Sequence, residues 1–256
     1  MGSVTIGQVG SPVAGPCENF DLVQASVTTG NSYVVPGSGT ITGWSTYGGP
    51  SSGSLKLKVF RLIAAPATYQ AVGHAGAQSV TGAGTSGNTF SASIPVQAGD
   101  VLGLNGTSDC ILSGVGGQRL QYMGDLSDGA SATFTTPASG RLNVQATFVP
   151  DNNFALARTM RNKKKGTATL IFDLPNPGQL VGMGKGAKLT VTSPKTQGSV
   201  PAPGSGPSQL LVKAKGKKRA TLNNTGKVKL SLAVTYTPTD GDPNTRSLKV
   251  VLKKKL

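Results

Sequence analysis

A chain of 256 residues is long enough for one large domain or two ordinary ones. Charged residues make up 14% of it and apolar residues 37%, a balance that argues against a disordered, solvated chain. The formal net charge is +15, and no apolar run approaches the roughly 20 residues that a membrane-spanning helix needs. We therefore predict a folded chain with a basic surface and no membrane span.

The charge is distributed unevenly along the chain. Residues 1–150 hold five basic and six acidic side chains, a formal charge of −1, whereas residues 151–256 hold 20 basic and four acidic ones, a charge of +16. Such asymmetry indicates two units with different surfaces. We predict two domains, 1–150 and 151–256, with a hinge at 149–151 and a boundary between Phe148 and Lys163.

Short apolar alternations separated by turn residues fill the first half. Leu55, Leu57 and Val59 alternate with Lys56, Lys58 and Phe60, which predicts a strand with one buried and one mostly solvated face. The other strands predicted in this half are 33–35, 40–47, 68–74, 90–96, 101–104, 120–123 and 141–148. This many short strands without helical periodicity predict a β-sandwich.

The second half shows cleaner alternation and ends in basic residues. One predicted inward row is Ala168, Leu170, Phe172 and Leu174, and the strongest is Val228, Leu230, Leu232, Val234 and Tyr236. Residues 193–208 read as a Pro/Gly/Ser loop and 215–218 as a turn. Residues 153–160 are the best helical candidate, although such a segment is too short to stand alone. The spacing predicts a smaller immunoglobulin-like sandwich.

The chain has two cysteines, Cys17 and Cys110. A disulfide between them would close a long loop in a glycine-rich domain, which favours pairing over two free thiols. Their Cα atoms are then expected within about 7 Å of each other. A disulfide places the protein in an oxidising compartment, so we expect an extracellular or cell-surface location, although no signal peptide opens this sequence.

Motifs for catalysis or metal binding are weak. Residues 181–186 resemble a phosphate loop, but the residue after Lys185 is glycine and no helix is predicted to follow. Residues 240–244 offer oxygen ligands at calcium-loop spacing, but the later positions do not fit, and a tight turn explains them better. His74 is the sole histidine and has no triad motif beside it. We predict no cofactor, no metal and no catalytic residue, and a hydrolase built on paired carboxylates is the least favoured function.

Aromatic side chains offer one alternative binding site. Trp44 and Tyr47 would form a sugar-stacking platform if both were exposed, as in a carbohydrate-binding module. The competing interpretation, which we favour, is that Trp44 fills the core between two sheets.

Lysine clusters offer the other candidate site, for polyanions. The residues expected to contribute are Lys163, Lys164, Lys165, Lys215, Lys217, Lys218 and Arg219. Their positive field attracts cell-wall polymer, acidic glycan or nucleic acid. The alternative is that they are solvated turns and strand edges that block aggregation. No aromatic residues interleave the lysines, so a specific nucleic-acid partner is not predicted.

Several segments of the two halves look familiar as a set. In the first half they are YVVPGSGTITGWST, SLKLKVFR and SIPVQAGDVLGLN, and in the second half they are RNKKKGTATLIFDLPNPGQLVGMGKGAKL and the residues from 210 onward. The first set is similar to the jelly-roll-like N-terminal module, and the second set to the basic immunoglobulin-like module, of a family of uncharacterised secreted bacterial two-module β proteins. The resemblance implies fold and export, and it carries no catalytic or binding residues over to this chain.

We therefore expect a non-catalytic extracellular protein, structural or binding at the cell envelope through its basic C-terminal domain. Its expected partner is an anionic cell-envelope polymer or glycan. The alternative function is a carbohydrate-binding module that uses Trp44 and Tyr47. The sequence leaves the oligomeric state and the identity of the ligand open.

Overall fold

The computed structural model describes residues 2–11, 13–50, 52–81, 87–112, 114–192 and 208–256. These residues form antiparallel β-sheets and a single short helix, so the predicted all-β class is confirmed. The chain divides into two compact units, Ser3–Val149 and Pro150–Leu256 with Gly2. We call them the first unit and the second unit.

The first unit is built from fifteen strands within the described residues. They are β1 Val4–Gln8, β2 Val13–Pro16, β3 Asp21–Val27, β4 Gly39–Tyr47, β5 Gly53–Ala64, β6 Thr68–His74, β7 Gln78–Val80, β8 Gly87–Val96, β9 Val101–Gly106, β10 Asp109–Leu112, β11 Gly117–Tyr122, β12 Ser131–Thr133, β13 Thr135–Ser139, β14 Arg141–Leu142 and β15 Val144–Pro150.

Two large sheets of the first unit share one hydrophobic core, as a β-sandwich requires. One sheet has the strand order β1-β15-β4-β8, and the other has the order β12-β6-β5-β9-β3-β11-β13 with β7 paired to β5. A small sheet, β14-β10-β2, carries Cys110. Inward residues such as Ile41, Val144 and Phe148 from the first sheet and Leu57 and Leu104 from the second belong to the same buried cluster.

Strand β5 does not have the mostly solvent-exposed face that its sequence pattern predicts. Lys58 and Phe60 are as fully buried as Leu57 and Val59 on the opposite face. The segment between β11 and β12 covers Lys58, because the carbonyl of Leu126 accepts from its Nζ at 2.7 Å. The solvated-face prediction was therefore wrong at Lys58 and Phe60, and the reason is a cover supplied by a distant part of the chain.

The second unit has seven strands and one helix within the described residues. They are β16 Ala155–Asn162, β17 Thr167–Asp173, β18 Gly178–Met183, β19 Ala187–Thr192, β20 Ser208–Ala214, α1 Lys217–Thr225, β21 Lys227–Pro238 and β22 Asn244–Lys253. One sheet has the order β16-β17-β20-β19, and the other has the order β18-β21-β22. The predicted inward rows of β17 and β21 are buried in its own core.

Two local predictions in the second unit were wrong. Residues 153–160 are mostly strand β16, which pairs with β17 from Ala155 to Asn162, and not a helix. The predicted turn at 215–218 instead leads into helix α1, whose first residue is Lys217. The predicted loop at 193–208 lies outside the described residues except for Ser208, which begins β20.

Candidate functional site

Two segments of the second unit meet at the start of α1: the turn between β18 and β19, and the residues that lead into the helix. The turn between β18 and β19 contains Gly186, whose φ of +75° favours glycine. The N–H of Lys215 donates to the carbonyl of Gly186 at 2.7 Å. A Cβ on Gly186 would lie 2.5 Å from Cγ of Lys218. A backbone hydrogen bond and the stem of Lys218 therefore hold this turn against the start of the helix.

These segments and strand β21 surround a surface pocket of about 670 Å³, which we call the lysine pocket. Its lining residues are either basic or small: Lys185, Lys215, Lys217, Lys218 and Lys229, with Gly186, Gly216 and Ser231. A neighbouring pocket of about 480 Å³ shares Lys185 and Ser231 and adds Lys249 from β22. Lysines from separate segments thus line one concave surface, which concentrates positive potential there.

A second basic pocket lies in the same unit. It measures about 390 Å³, and its basic lining residues are Lys165, Lys213, Arg219 and Lys254. Lys254 also donates from Nζ to Oδ1 of Asn223 at 2.8 Å, which fixes one of the four cations. The turn between β16 and β17, strand β20, helix α1 and the end of the chain each contribute to this pocket.

The basic side chains that the structure describes in the second unit form none of the ion pairs found in the first. Ion pairs between residues that the structure describes occur only in the first unit, at Lys56, Lys58, Arg61 and His74. Lys188 lies directly opposite Lys213, and Lys227 lies opposite Lys253. Like charges directly opposite each other across a strand pair are destabilising. The fold therefore retains repulsive lysine pairs that a bound anion would relieve.

Helix α1 adds to this charge imbalance. Lys217 and Lys218 occupy its first turn, which contains no acidic residue, and Gly216 at the N-cap offers no side-chain cap. The N-terminus of a helix carries a partial positive charge, so cations there are unfavourable and anions favourable. The lysine pocket therefore combines side-chain and backbone positive charge.

The predicted polyanion-binding residues separate into three groups. Lys215, Lys217 and Lys218 line the lysine pocket, and Lys165 and Arg219 line the second basic pocket. Lys163 and Lys164 are exposed in the turn between β16 and β17 and are not among the lining residues of either pocket.

Sequence reasoning did not select Lys185 or Lys249. Lys185 belongs to the segment weighed as a phosphate loop, where the structure has the end of β18, a turn and strand β19 instead of a helix. Its spacing from the other lysines gave no signal, because only the pairing of distant strands brings it beside Lys215. Lys249 joins the same surface through its pairing with Ser231.

The sugar-stacking alternative is not supported at Trp44. Its side chain is 2% exposed and belongs to the core cluster, with its ring centroid 4.8 Å from that of Phe90. Tyr47 is only half-buried, and its ring lies over Gly87 on the neighbouring strand. A buried indole offers no face to a sugar, so Trp44 and Tyr47 do not form the proposed platform, and the core interpretation of Trp44 was the right one.

The predicted disulfide between Cys17 and Cys110 is confirmed. Their Cα atoms are 5.7 Å apart and the bond closes a separation of 93 residues. Both cysteines are buried. The bond joins Cys17, directly after β2, to Cys110 in β10. Strands β2 and β10 are neighbours in the small sheet.

Acidic and imidazole groups do not converge into a metal site within the described ranges, where no three His, Cys, Asp or Glu side chains come together. His74 contacts Oδ1 of Asp128 through Nδ1 at 2.8 Å. Asp240 and Gly241, part of the segment weighed as a calcium loop, lie in the turn between β21 and β22.

Comparisons of the chain with protein-family models, with curated proteins and with solved structures found no match. In the described part of the chain, the structure contains no helix with the length and apolar character to cross a membrane.

Proposed function

We propose that this is a non-catalytic extracellular protein that binds anionic cell-envelope polymers through its basic second unit. The observation that carries the proposal is the lysine pocket, where Lys185, Lys215 and Lys229 from separate segments line one cavity. In this proposal the first unit is a jelly-roll-like sandwich and the second an immunoglobulin-like one. Their antiparallel sheets and separate cores support that assignment.

The chemistry of the lining residues favours an extended anionic ligand. Lysine ammonium groups act as hydrated point charges with little geometric selectivity, unlike the planar fork of arginine. Two basic pockets in one unit suit a chain that carries repeated phosphate, sulfate or carboxylate groups. Binding of such a polymer depends on charge density more than on the identity of the sugar.

The disulfide supports the extracellular part of the proposal. Disulfides persist in oxidising compartments and are rare where glutathione keeps thiols reduced. The bond between Cys17 and Cys110 is buried in the first unit, so it contributes to structure.

The test is to titrate the full chain with heparin and with an anionic wall polymer at low and at physiological ionic strength. Screening acts over about 8 Å at physiological salt, so exposed lysines lose most of their attraction as salt rises. We expect binding at low salt that weakens steeply with added salt. No binding at low salt would contradict the proposal, and tight binding that survives high salt would indicate a different kind of site.

A matched pair of variants tests whether the lysine pocket is the site. Lys185→Gln/Lys215→Gln/Lys229→Gln removes three charges from its lining. Lys163→Gln/Lys164→Gln/Lys253→Gln removes the same charge from residues that do not line the pocket. The first variant should lose more affinity than the second at the same ionic strength. Equal losses of affinity would mean that binding is distributed over the whole second unit, which would contradict the assignment to the lysine pocket.

A further inference from the structure

A lysine in the first unit is completely enclosed by acceptors. Lys58 on β5 is 0% exposed, and its Nζ lies 2.8 Å from both carboxylate oxygens of Asp21, which is also 0% exposed. The same nitrogen donates to Oδ1 of Asp125 at 2.9 Å and to the carbonyl of Leu126 at 2.7 Å. Removing two charges from water is costly even when they are paired, so this arrangement calls for an explanation beyond stability.

Strand register brings the two side chains together across a third strand. Lys58 on β5 and Val23 on β3 both pair with Gly103 of the intervening strand β9. A Cβ at position 103 would lie 2.3 Å from the carbonyl oxygen of Leu22 and 2.4 Å from the ring of Phe60. Gly103 has no side chain between these positions, and Nζ of Lys58 reaches across β9 to the carboxylate of Asp21.

The carboxyl group of Asp21 is held by neutral donors as well as by the lysine. Asn105 donates from Nδ2 to Oδ1 at 3.0 Å, and the backbone N–H of Leu126 donates to Oδ2 at 2.8 Å. Burial raises the pKa of Asp21, against the hydrogen bond from Lys58, which acts to lower it. Donors fixed on both oxygens polarise a carboxyl carbon toward a nucleophile, as an oxyanion hole does.

Asp125 is placed to move a proton. Its Oδ1 touches Nζ of Lys58, and its Oδ2 contacts Nζ of Lys56. Burial acts to raise the pKa of Asp125, but hydrogen bonds from Lys56 and Lys58 outweigh it and leave the pKa lowered. The side chain of Asp125 is 47% exposed, so this carboxylate connects the buried pair to solvent. A charged carboxylate within hydrogen-bond reach of an amine meets the geometric requirement for a general base.

We propose that Lys58 and Asp21 condense into an intramolecular isopeptide bond that cross-links β5 to β3. Nζ of Lys58 attacks Cγ of Asp21, one N–C bond forms, one C–O bond breaks and one water leaves. Asp125 carries two protons in turn from the Nζ ammonium to the departing oxygen, which leaves as water, so the step needs neither an oxidant nor a reductant. The product is a neutral amide, which replaces two buried charges. Fixed proximity of the two groups supplies the rate, as in other intramolecular condensations.

The mass of the full chain tests the proposal. After denaturation and reduction of the disulfide, the chain should be lighter than its sequence by the mass of one water. Trypsin does not cleave after an acylated lysine, so peptide 57–61 should stay intact and be joined to peptide 1–56, which contains Asp21. A chain with the full sequence mass would overturn the proposal. So would a loss of water without this cross-linked peptide, which succinimide formation at Asp128-Gly129 would produce. A loss of ammonia, from an amide bond to Asn105 or from a succinimide at Asn105-Gly106, would also overturn it.

Matched variants assign the roles of the three residues. Lys58→Arg keeps the charge but cannot form the amide, and its chain should show the full mass expected for that variant. Asp125→Asn keeps both reacting groups, and it should accumulate uncross-linked chain while circular dichroism shows retained β structure. Asp128 lies in the same loop as Asp125, but its carboxylate contacts His74 instead of Lys58. Asp128→Asn should therefore cross-link as the wild type does. Complete cross-linking of Asp125→Asn would show that Asp125 does not carry the protons. A water loss that persists in Lys58→Arg would refute the assignment of the bond to Lys58.

Discussion

Tyr236 is a fully buried titratable side chain in the core of the second unit. Its hydroxyl donates to the carbonyl of Asn176 at 2.7 Å and accepts from the N–H of the same residue at 3.2 Å. Burial raises the pKa of Tyr236 from 10.0 to about 12. Because the unfolded chain releases this proton at lower pH than the folded chain, deprotonation favours unfolding.

This pKa shift predicts an alkaline loss of stability. The contribution of Tyr236 is fully present below pH 10.0 and is lost as pH rises to about 12, the window between the unfolded and folded pKa values. Each pKa unit corresponds to about 1.4 kcal/mol, so the loss is at most about 2 to 3 kcal/mol. Denaturant unfolding of the second unit, followed by circular dichroism across this pH range, measures it. Tyr236→Phe has no group to titrate and should show a shallower decline, whereas an identical pH profile would contradict the assignment.

At the scale of elements, the close approach of β3, β9 and β5 depends on Gly103. The contacts of a Cβ at this position are with backbone as well as with a buried ring, so the neighbours cannot simply rotate away. Gly103→Ala should destabilise the first unit by about 1 to 3 kcal/mol, the usual cost of overpacking a core. Urea unfolding of the full chain gives the difference.

Gly76 provides the control for this substitution. A Cβ at Gly76 would meet nothing within 4 Å, and its backbone is not in the left-handed region. Gly76→Ala should therefore change the free energy of unfolding by no more than about 0.5 kcal/mol. If the two variants were equally stable, β9 would be able to move away from its neighbours, and the packing argument would fail.

Elements with regular alternation could be predicted from the sequence. The row from Val228 to Tyr236 in β21 repeats every second residue without interruption, and the structure buries it in full. Local periodicity is sufficient here because one face of the strand meets the core along its whole length. The disulfide was also predictable, because the chain offers only one cysteine pair.

Elements whose environment comes from distant residues could not be predicted. Helix α1 has one buried residue, Leu222, so it lacks the apolar periodicity that identifies a helix. Lys58 follows a solvated-face pattern, but the segment around Leu126 covers it. Lys185 joins the lysine pocket only because its turn is bonded to Lys215. Each of these depends on contacts between segments far apart in the sequence.

At the scale of the whole molecule, charge and core follow the same division. Among the described residues, the first unit has its own hydrophobic core and the ion pairs, whereas the second has a separate core and a large excess of basic side chains. A near-neutral unit and a strongly basic unit respond differently to salt. Titration of separate fragments 1–150 and 151–256 with heparin should place nearly all polyanion binding in the second.

Two cores within one chain predict two unfolding transitions. Trp44 is the only tryptophan and is buried in the first unit, so its fluorescence reports that unit alone, whereas circular dichroism reports both. The disulfide closes a 93-residue separation in the first unit. Its removal in Cys17→Ser/Cys110→Ser should cost that unit about 2 to 5 kcal/mol and lower the fluorescence midpoint by several degrees.

The second transition should respond to a different substitution. Leu230 is buried in the core of the second unit, and Leu230→Ala should cost about 2 to 5 kcal/mol there. This variant should shift the circular dichroism transition of the second unit and leave the Trp44 fluorescence midpoint unchanged. If Leu230→Ala lowered the fluorescence midpoint as much as the cysteine variant does, the two units would unfold as one cooperative structure. In that case the division near Val149 would not separate independently folding domains.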